Sequence, residues 1–384
     1  MDMGLVPRLC QASTGTRARP AVWMGMEMLK HAGMAAWLIG IAAFIGLTIW
    51  SGPHAVGHAV ASVGWGILLV VMARAVTACV AGAGWWLLFP STMRPQLRTC
   101  VLLRFIRDAA NVLVAQISGD LIGARLLTFR GVPGPLAAAS VIVDVLIQAA
   151  TLFLFAMLGL LVLVALGGDE TLARIAAIGL AVAALMLAGF YLAQHRGGQR
   201  MLRWAMSRLT GDRKWRVLGT IDAVYENLAM IYAARSSVAA SAVLQMAGWI
   251  FGVAEVLIVF ACMGNPISIA QALVIDSLLH AIRGAAFAIP SALGAQEGGL
   301  VLLCAAFAIP PEQAIALSLV KRAADLVLGV PGLLGWQVLE WKRLKPDYSV
   351  PARPPSGDHF ELSRPGCKVE RSPASKGLGR ELDG

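Results

Sequence analysis

Apolar runs about twenty residues long, separated by short polar turns, occupy most of this chain. A run of that length crosses the hydrocarbon of a bilayer as a helix. The first covers residues 34–50 and ends at the turn Ser51-Gly52-Pro53-His54. The second covers 58–81 and contains Arg74. Further runs cover 136–166, 172–193, 238–263, 269–289 and 313–336. Gly167-Gly168-Asp169-Glu170 separates 136–166 from 172–193, and Asn265-Pro266 separates 238–263 from 269–289. Residues 217–236 are mixed and read as an interfacial helix. Counted in this way, the chain makes seven or eight crossings.

Two segments break the pattern. Residues 100–130 are apolar overall but hold Arg104, Arg107, Asp108, Asn111, Gln116, Asp120 and Arg125. That is too polar for a span facing lipid. It reads as a re-entrant or broken helix, or as an amphipathic one at the interface, and the charge parity of the loops favours re-entry. The second break follows 269–289, where Pro290 interrupts the run. Residues 291–299 are small and flexible, 300–309 form a short apolar half, and Pro310-Pro311 make a turn.

The two segments look alike. Arg107-Asp108-Ala109-Ala110 is echoed 176 residues later by Arg283-Gly284-Ala285-Ala286. An acid follows each, Asp120 after Gly119 and Glu297 before Gly298. The spans that come next open similarly, Ala139 to Asp144 beside Leu317 to Arg322. Matching interrupted segments in two halves point to a binding site at a repeat interface. The expected fold is therefore all-α: a polytopic integral membrane protein with broken or re-entrant segments and an internal repeat. Its half-repeats run about 31–200 and 217–345 within a transmembrane domain of 31–345.

Composition agrees. Of 384 residues, 58% are hydrophobic and 14% charged, and mean hydropathy is +0.71. Soluble domains carry about a quarter charged residues. Net charge is +10, but the basic residues sit between apolar runs and read as loops facing anionic lipid. No nucleic-acid partner is expected. Residues 195–216 carry seven Arg or Lys against Asp212 alone. By the positive-inside tendency this loop, the basic tail 1–30 and the Pro- and Ser-rich tail 346–384 are cytoplasmic. The six cysteines form no CxxC pair, so neither a disulfide framework nor a metal is expected. Phosphate-binding, hydrolase and metalloprotease signatures are absent, as is a dinucleotide fingerprint. No cofactor is expected.

The charges at membrane depth carry the candidate chemistry. Each costs about 2.5–3.5 kcal/mol at mid-bilayer on insertion scales, so each needs a partner or a wet cavity. Asp276, His280 and Arg283 share one helical face by their spacing, as do Lys321 or Arg322 and Asp325. Two such faces would line one polar chamber, with Glu297 in the break between them. A half-helix starting near Glu297 would aim N–H groups at an anion. Arg283 and Arg322 would help it hold a lipid phosphate. Arg107, Asn111 and Asp120 are the first-half counterparts. Arg104 and Arg125 read as snorkelling anchors, and Trp85, Trp86, Trp336 and Trp341 as interface belts.

The stretch Ala288-Ile289-Pro290-Ser291-Ala292-Leu293-Gly294-Ala295-Gln296-Glu297-Gly298-Gly299, with Leu319 to Asp325 after it, resembles the transmembrane domain of lysylphosphatidylglycerol synthases. That family shows Pro-Gly-Gly-hydrophobic-Gly-x-x-Glu followed by a span carrying an Arg. Pro290, Gly294, Glu297 and Arg322 match, and Ser291-Ala292 replaces the Gly-Gly. A first-half element, Asn-x-x-x-Pro-x-x-x-Gly-Glu, corresponds to Asn111 through Gly119-Asp120, without the Pro and with Asp for Glu. Within the family the chain looks most like stand-alone members associated with hopanoid biosynthesis. The resemblance implies a flippase or transporter of the bacterial inner membrane. Its cargo would be a hopanoid, another isoprenoid or a phospholipid, and hopanoid biosynthesis proteins would be its partners. A membrane-embedded lipid transferase, with Glu297 or Asp325 as base, and a non-catalytic scaffold are the alternatives.

Overall fold

A computed structural model describes residues 49, 53–113, 118–194, 197–200, 204, 214–286 and 292–344. The expected first span, both tails, most of the basic loop, and Pro290 with Ser291 lie outside the described residues. Residues 1–339 form one compact unit. Of the remainder, only the end of one helix is described.

Among the described residues the regular structure is helical. The helices are α1 (Pro53–Val63), α2 (Gly66–Leu87), α3 (Leu97–Leu113), α4 (Ser118–Thr128), α5 (Gly134–Ala165) and α6 (Glu170–Ala193). They continue with α7 (Lys214–Ala233), α8 (Arg235–Cys262), α9 (Ile269–Ala285), α10 (Ala295–Ala305) and α11 (Pro311–Leu344). Local chemistry sets their starts. Asp169 accepts the Leu172 N–H at 2.7 Å ahead of α6. Ser268 and Gln271 form a reciprocal capping box at α9. Proline, whose missing donor costs nothing in a first turn, opens α11 and sits in the first turn of α5.

Among the described residues, four helices, α2, α5, α6 and α8, are long and apolar enough to cross a membrane. Helix α6 has Leu180 as its one buried residue, while Ile175, Val182, Leu185 and Phe190 are exposed. An apolar helix bare on nearly every side needs lipid around it. The chain is a multi-pass helical membrane protein. One expected span is corrected: 58–81 is divided between α1 and α2, because the backbone at Gly64 turns to φ 48°.

Helices α3 and α4 make a hairpin. Gly119 packs on the Arg107 backbone carbonyl, Gly123 packs on the Arg107 side chain, and the Gly119 N–H donates to Asn111 Oδ1 at 2.8 Å. So α4 doubles back along α3. At 17 and 11 residues the two are about 26 and 17 Å long, short of a bilayer. This is the broken-helix reading of residues 100–130.

The same order recurs. Helices α3, α4 and α5 have 17, 11 and 32 residues, and α9, α10 and α11 have 17, 11 and 34. Gly299, which lies 176 residues after Gly123, packs on Ile282 of α9 much as Gly123 packs on α3. Across the halves the partners are exchanged. Helix α5 meets α9 where Gly159 abuts Ser277, and α11 meets α3 where Gly332 abuts Phe105 and Ala109. Helices α2 and α8 meet each other, Gly84 on Ser241 and Gly248 on Thr77. That exchange is what a pseudo-two-fold axis between α2 and α8 produces. The close contacts use small residues, as expected where lipid supplies no hydrophobic drive between helices.

Candidate functional site

Charged side chains converge from both halves. One network is centred on the second half and takes in Arg74 of α2, which donates Nε to Glu255 Oε1 of α8 at 2.8 Å and also pairs with Asp325 of α11. Lys321 Nζ lies 2.8 Å from Asp276 Oδ1 and 3.3 Å from Glu255 Oε2. His280 Nδ1 is 2.8 Å from the Asp276 carbonyl oxygen. Arg283 meets Asp325 at 3.8 Å. Four elements thus contribute to one network, and each charge has an opposite within reach.

The first half has its own network. Arg107 Nη1 lies 2.8 Å from Asp144 Oδ2, and its Nη2 lies 2.7 Å from Asp120 Oδ1. Its guanidinium carbon stands 4.5 Å from the Trp85 ring centre. Asp144 also accepts from Gln148 at 2.8 Å and from Gln245 at 3.2 Å. Arg104 bonds Asp108 at 2.9 Å and Gln148 Oε1 at 2.8 Å. Two sequence expectations are corrected here. Arg104 does not snorkel; it is buried, held by Asp108, Asp144 and Gln148. Trp85 is no belt residue either. It is fully buried, with Nε1 donating to Ser140 Oγ at 3.3 Å.

Between the networks lies a cavity of about 350 Å³. Arg104, Asp108, Asn111 and Gln148 line it from the first half. Glu255, Asp276, His280, Arg283, Lys321 and Asp325 line it from the second, with Arg74, Gln245 and Trp249 from α2 and α8. Its wall holds four cations and four carboxylates. Trp249 packs edge-on against His280 at 5.0 Å and stacks on Phe155 at 6.3 Å. One flank is therefore aromatic, and elsewhere charged and amide side chains alternate with small or apolar ones such as Ala78, Ala81 and Leu152.

Of the sequence candidates, Asp276, His280, Arg283, Lys321, Asp325 and Asn111 line the cavity. Arg107 and Asp120 stand behind it and tie α3 to α4 and α5. Glu297 and Arg322 make a separate pair at 2.8 Å, beside the wall. Glu297 Oε2 accepts the Gly294 N–H at 2.8 Å, and Oε1 accepts from Ser318 at 2.7 Å. Gly294 has φ 76°, a conformation that suits glycine. So the start of α10 already has its anion, Glu297 itself. Arg74, Glu255, Gln148, Gln245 and Trp249 were not among the sequence candidates. Arg74 and Glu255 each stand as the sole charge inside an apolar span. Two such solitary charges of opposite sign are a signal for pairing.

Residues 37–332 match the family model described as the lysylphosphatidylglycerol synthase TM region. No curated protein matches the chain. No solved structure matches it either.

Proposed function

The chain belongs to the lysylphosphatidylglycerol synthase transmembrane-region family, and from that premise we propose that it is a lipid flippase. Membership carries a membrane lipid-related function. The finer reading rests on one observation, the 350 Å³ cavity into which charged and amide side chains converge from both halves of the chain. A lipid crossing a bilayer must carry its polar head through hydrocarbon. A chamber whose charges are already paired offers hydrogen bonds in place of water. The acyl or isoprenoid tail remains outside, along exposed apolar faces such as that of α6. The basic loops support an inner-membrane orientation with cytoplasmic termini. The cargo within this reading is a phospholipid, a hopanoid or another isoprenoid lipid.

The test is translocation in vesicles. Purified protein is reconstituted with lipids fluorescent at the head group, and the outer leaflet is bleached chemically. Phosphatidylglycerol, phosphatidylethanolamine and a hopanoid are compared. The protein should speed inward and outward movement of at least one of them. Arg283→Gln and Asp325→Asn should slow that movement about tenfold, the equivalent of roughly 1.4 kcal/mol of barrier. Rates equal to those of protein-free vesicles for all three lipids would remove the reading.

A further inference from the structure

We propose that His280 is a proton-binding site and that lipid movement through this cavity is coupled to proton movement, an inference that rests on the flippase reading. His280 lines the cavity and keeps 21% of its side chain exposed. Its Nδ1 sits 2.8 Å from the Asp276 carbonyl oxygen. A carbonyl only accepts, so Nδ1 carries the hydrogen. The neutral ring then has its lone pair on Nε2, which makes no hydrogen bond among the described residues. The ring is held by Trp249 edge-on at 5.0 Å. A base with a fixed tautomer and an open nitrogen is thus placed on the cavity wall.

Charged groups face His280 from four helices. On its own helix His280 has Asp276 below and Arg283 above. Helix α8 presents Glu255 and α11 presents Lys321 and Asp325, while α2 presents Arg74. Each of those cations already faces a carboxylate. Asp276 Oδ2 is buried without a hydrogen-bond partner among the described residues, and Asp276 Oδ1 is 3.7 Å from the His280 ring. Across the two networks six carboxylates stand against five Arg and Lys side chains. One proton on Nε2 balances that count. It also turns a neutral wall group into a cation beside Asp276, which competes with Lys321 for the same carboxylate. Loosening the Lys321–Asp276 tie links protonation to movement of α11 against α9 at the cavity wall. Histidine is the side chain whose ordinary titration range suits such a cycle.

Two measurements decide it. The first is hydrogen–deuterium exchange at the imidazole C2 of the wild-type protein in nanodiscs, read by mass spectrometry over a pH series. His280 should show a sigmoidal dependence, and a flat profile overturns the proposal. The second imposes a pH gradient across the translocation vesicles. Wild type should accumulate the probe lipid in one leaflet and reverse the asymmetry when the gradient is reversed. His280→Gln should lose the response to the gradient. Wild-type translocation that ignores the gradient, or a His280→Gln variant that still follows it, sinks the coupling and leaves the flippase standing. Absence of any lipid movement removes the flippase reading and the coupling with it.

Discussion

Lys321 and Asp276 meet at 2.8 Å with each side chain only 1% exposed, so an ion pair binds α11 to α9 with almost no solvent. Breaking one side of a buried pair strands the other charge, at a cost of about 3–5 kcal/mol. Lys321→Met should therefore lower the Tm sharply in detergent. Lys321→Met with Asp276→Leu should recover much of the loss, since no lone charge remains. A double variant no more stable than the single one would contradict the assignment.

A second prediction concerns the α3–α4 hairpin. A methyl group on Gly119 would collide with the Arg107 carbonyl oxygen, a backbone atom that cannot swing aside. Gly119→Ala should destabilise by about 1–3 kcal/mol, the usual range for overpacking. Gly179 on α6 has open space where its Cβ would be. Gly179→Ala should be neutral or slightly favourable, because alanine is the better helix former. Thermal unfolding of the two variants side by side checks the contrast.

What the sequence discloses here follows from how local each signal is. The ends of α6, α8 and α9 lie within a few residues of the expected runs, because capping and apolar length are local properties. The facing of Asp276, His280 and Arg283 with Lys321 and Asp325 was also legible, since helical spacing sets each face. The choice of partner was not. The spacing sets Glu297 with both Arg283 and Arg322, yet of the two only Arg322 pairs with Glu297, which also holds its own helix start, while Arg283 faces Asp325. Arg74 reaches Glu255 across 181 residues, and Gln245 reaches Asp144 across 101. Such pairings depend on how the halves dock, which no window of sequence contains.

The docking of the halves is itself testable. A Cβ on Gly332 would lie 3.1 Å from the Ala109 Cβ. That is near the distance a disulfide needs, about 3.5–4.5 Å, and a small backbone shift supplies the rest. In a background with the native cysteines replaced, Ala109→Cys with Gly332→Cys should cross-link on mild oxidation and change mobility after proteolysis between α5 and α8. Without a cross-link, α3 and α11 are not neighbours, and the exchanged packing that defines the pseudo-symmetry fails with them.

The two arginines of the second half should separate stability from transport. Arg322 holds Glu297, a fully buried carboxylate that also receives Ser318 and the Gly294 N–H at the start of α10. Removing its charge leaves that carboxylate short of a cation, so Arg322→Gln should cost about 3 kcal/mol, the scale of a lost charged hydrogen bond. Its lipid movement, normalised to folded protein, should fall less than its Tm suggests. Arg283 lines the cavity and meets Asp325 only at 3.8 Å, so its contribution to folding is small. Arg283→Gln should melt close to wild type and yet move lipid about tenfold more slowly. The comparison needs Tm and translocation rate on the same preparations. If Arg283→Gln unfolds as Arg322→Gln does, the cavity-facing arginine is a structural tie, and the hydrogen bonds offered to a head group must come from the amide wall of Asn111, Gln148 and Gln245 instead.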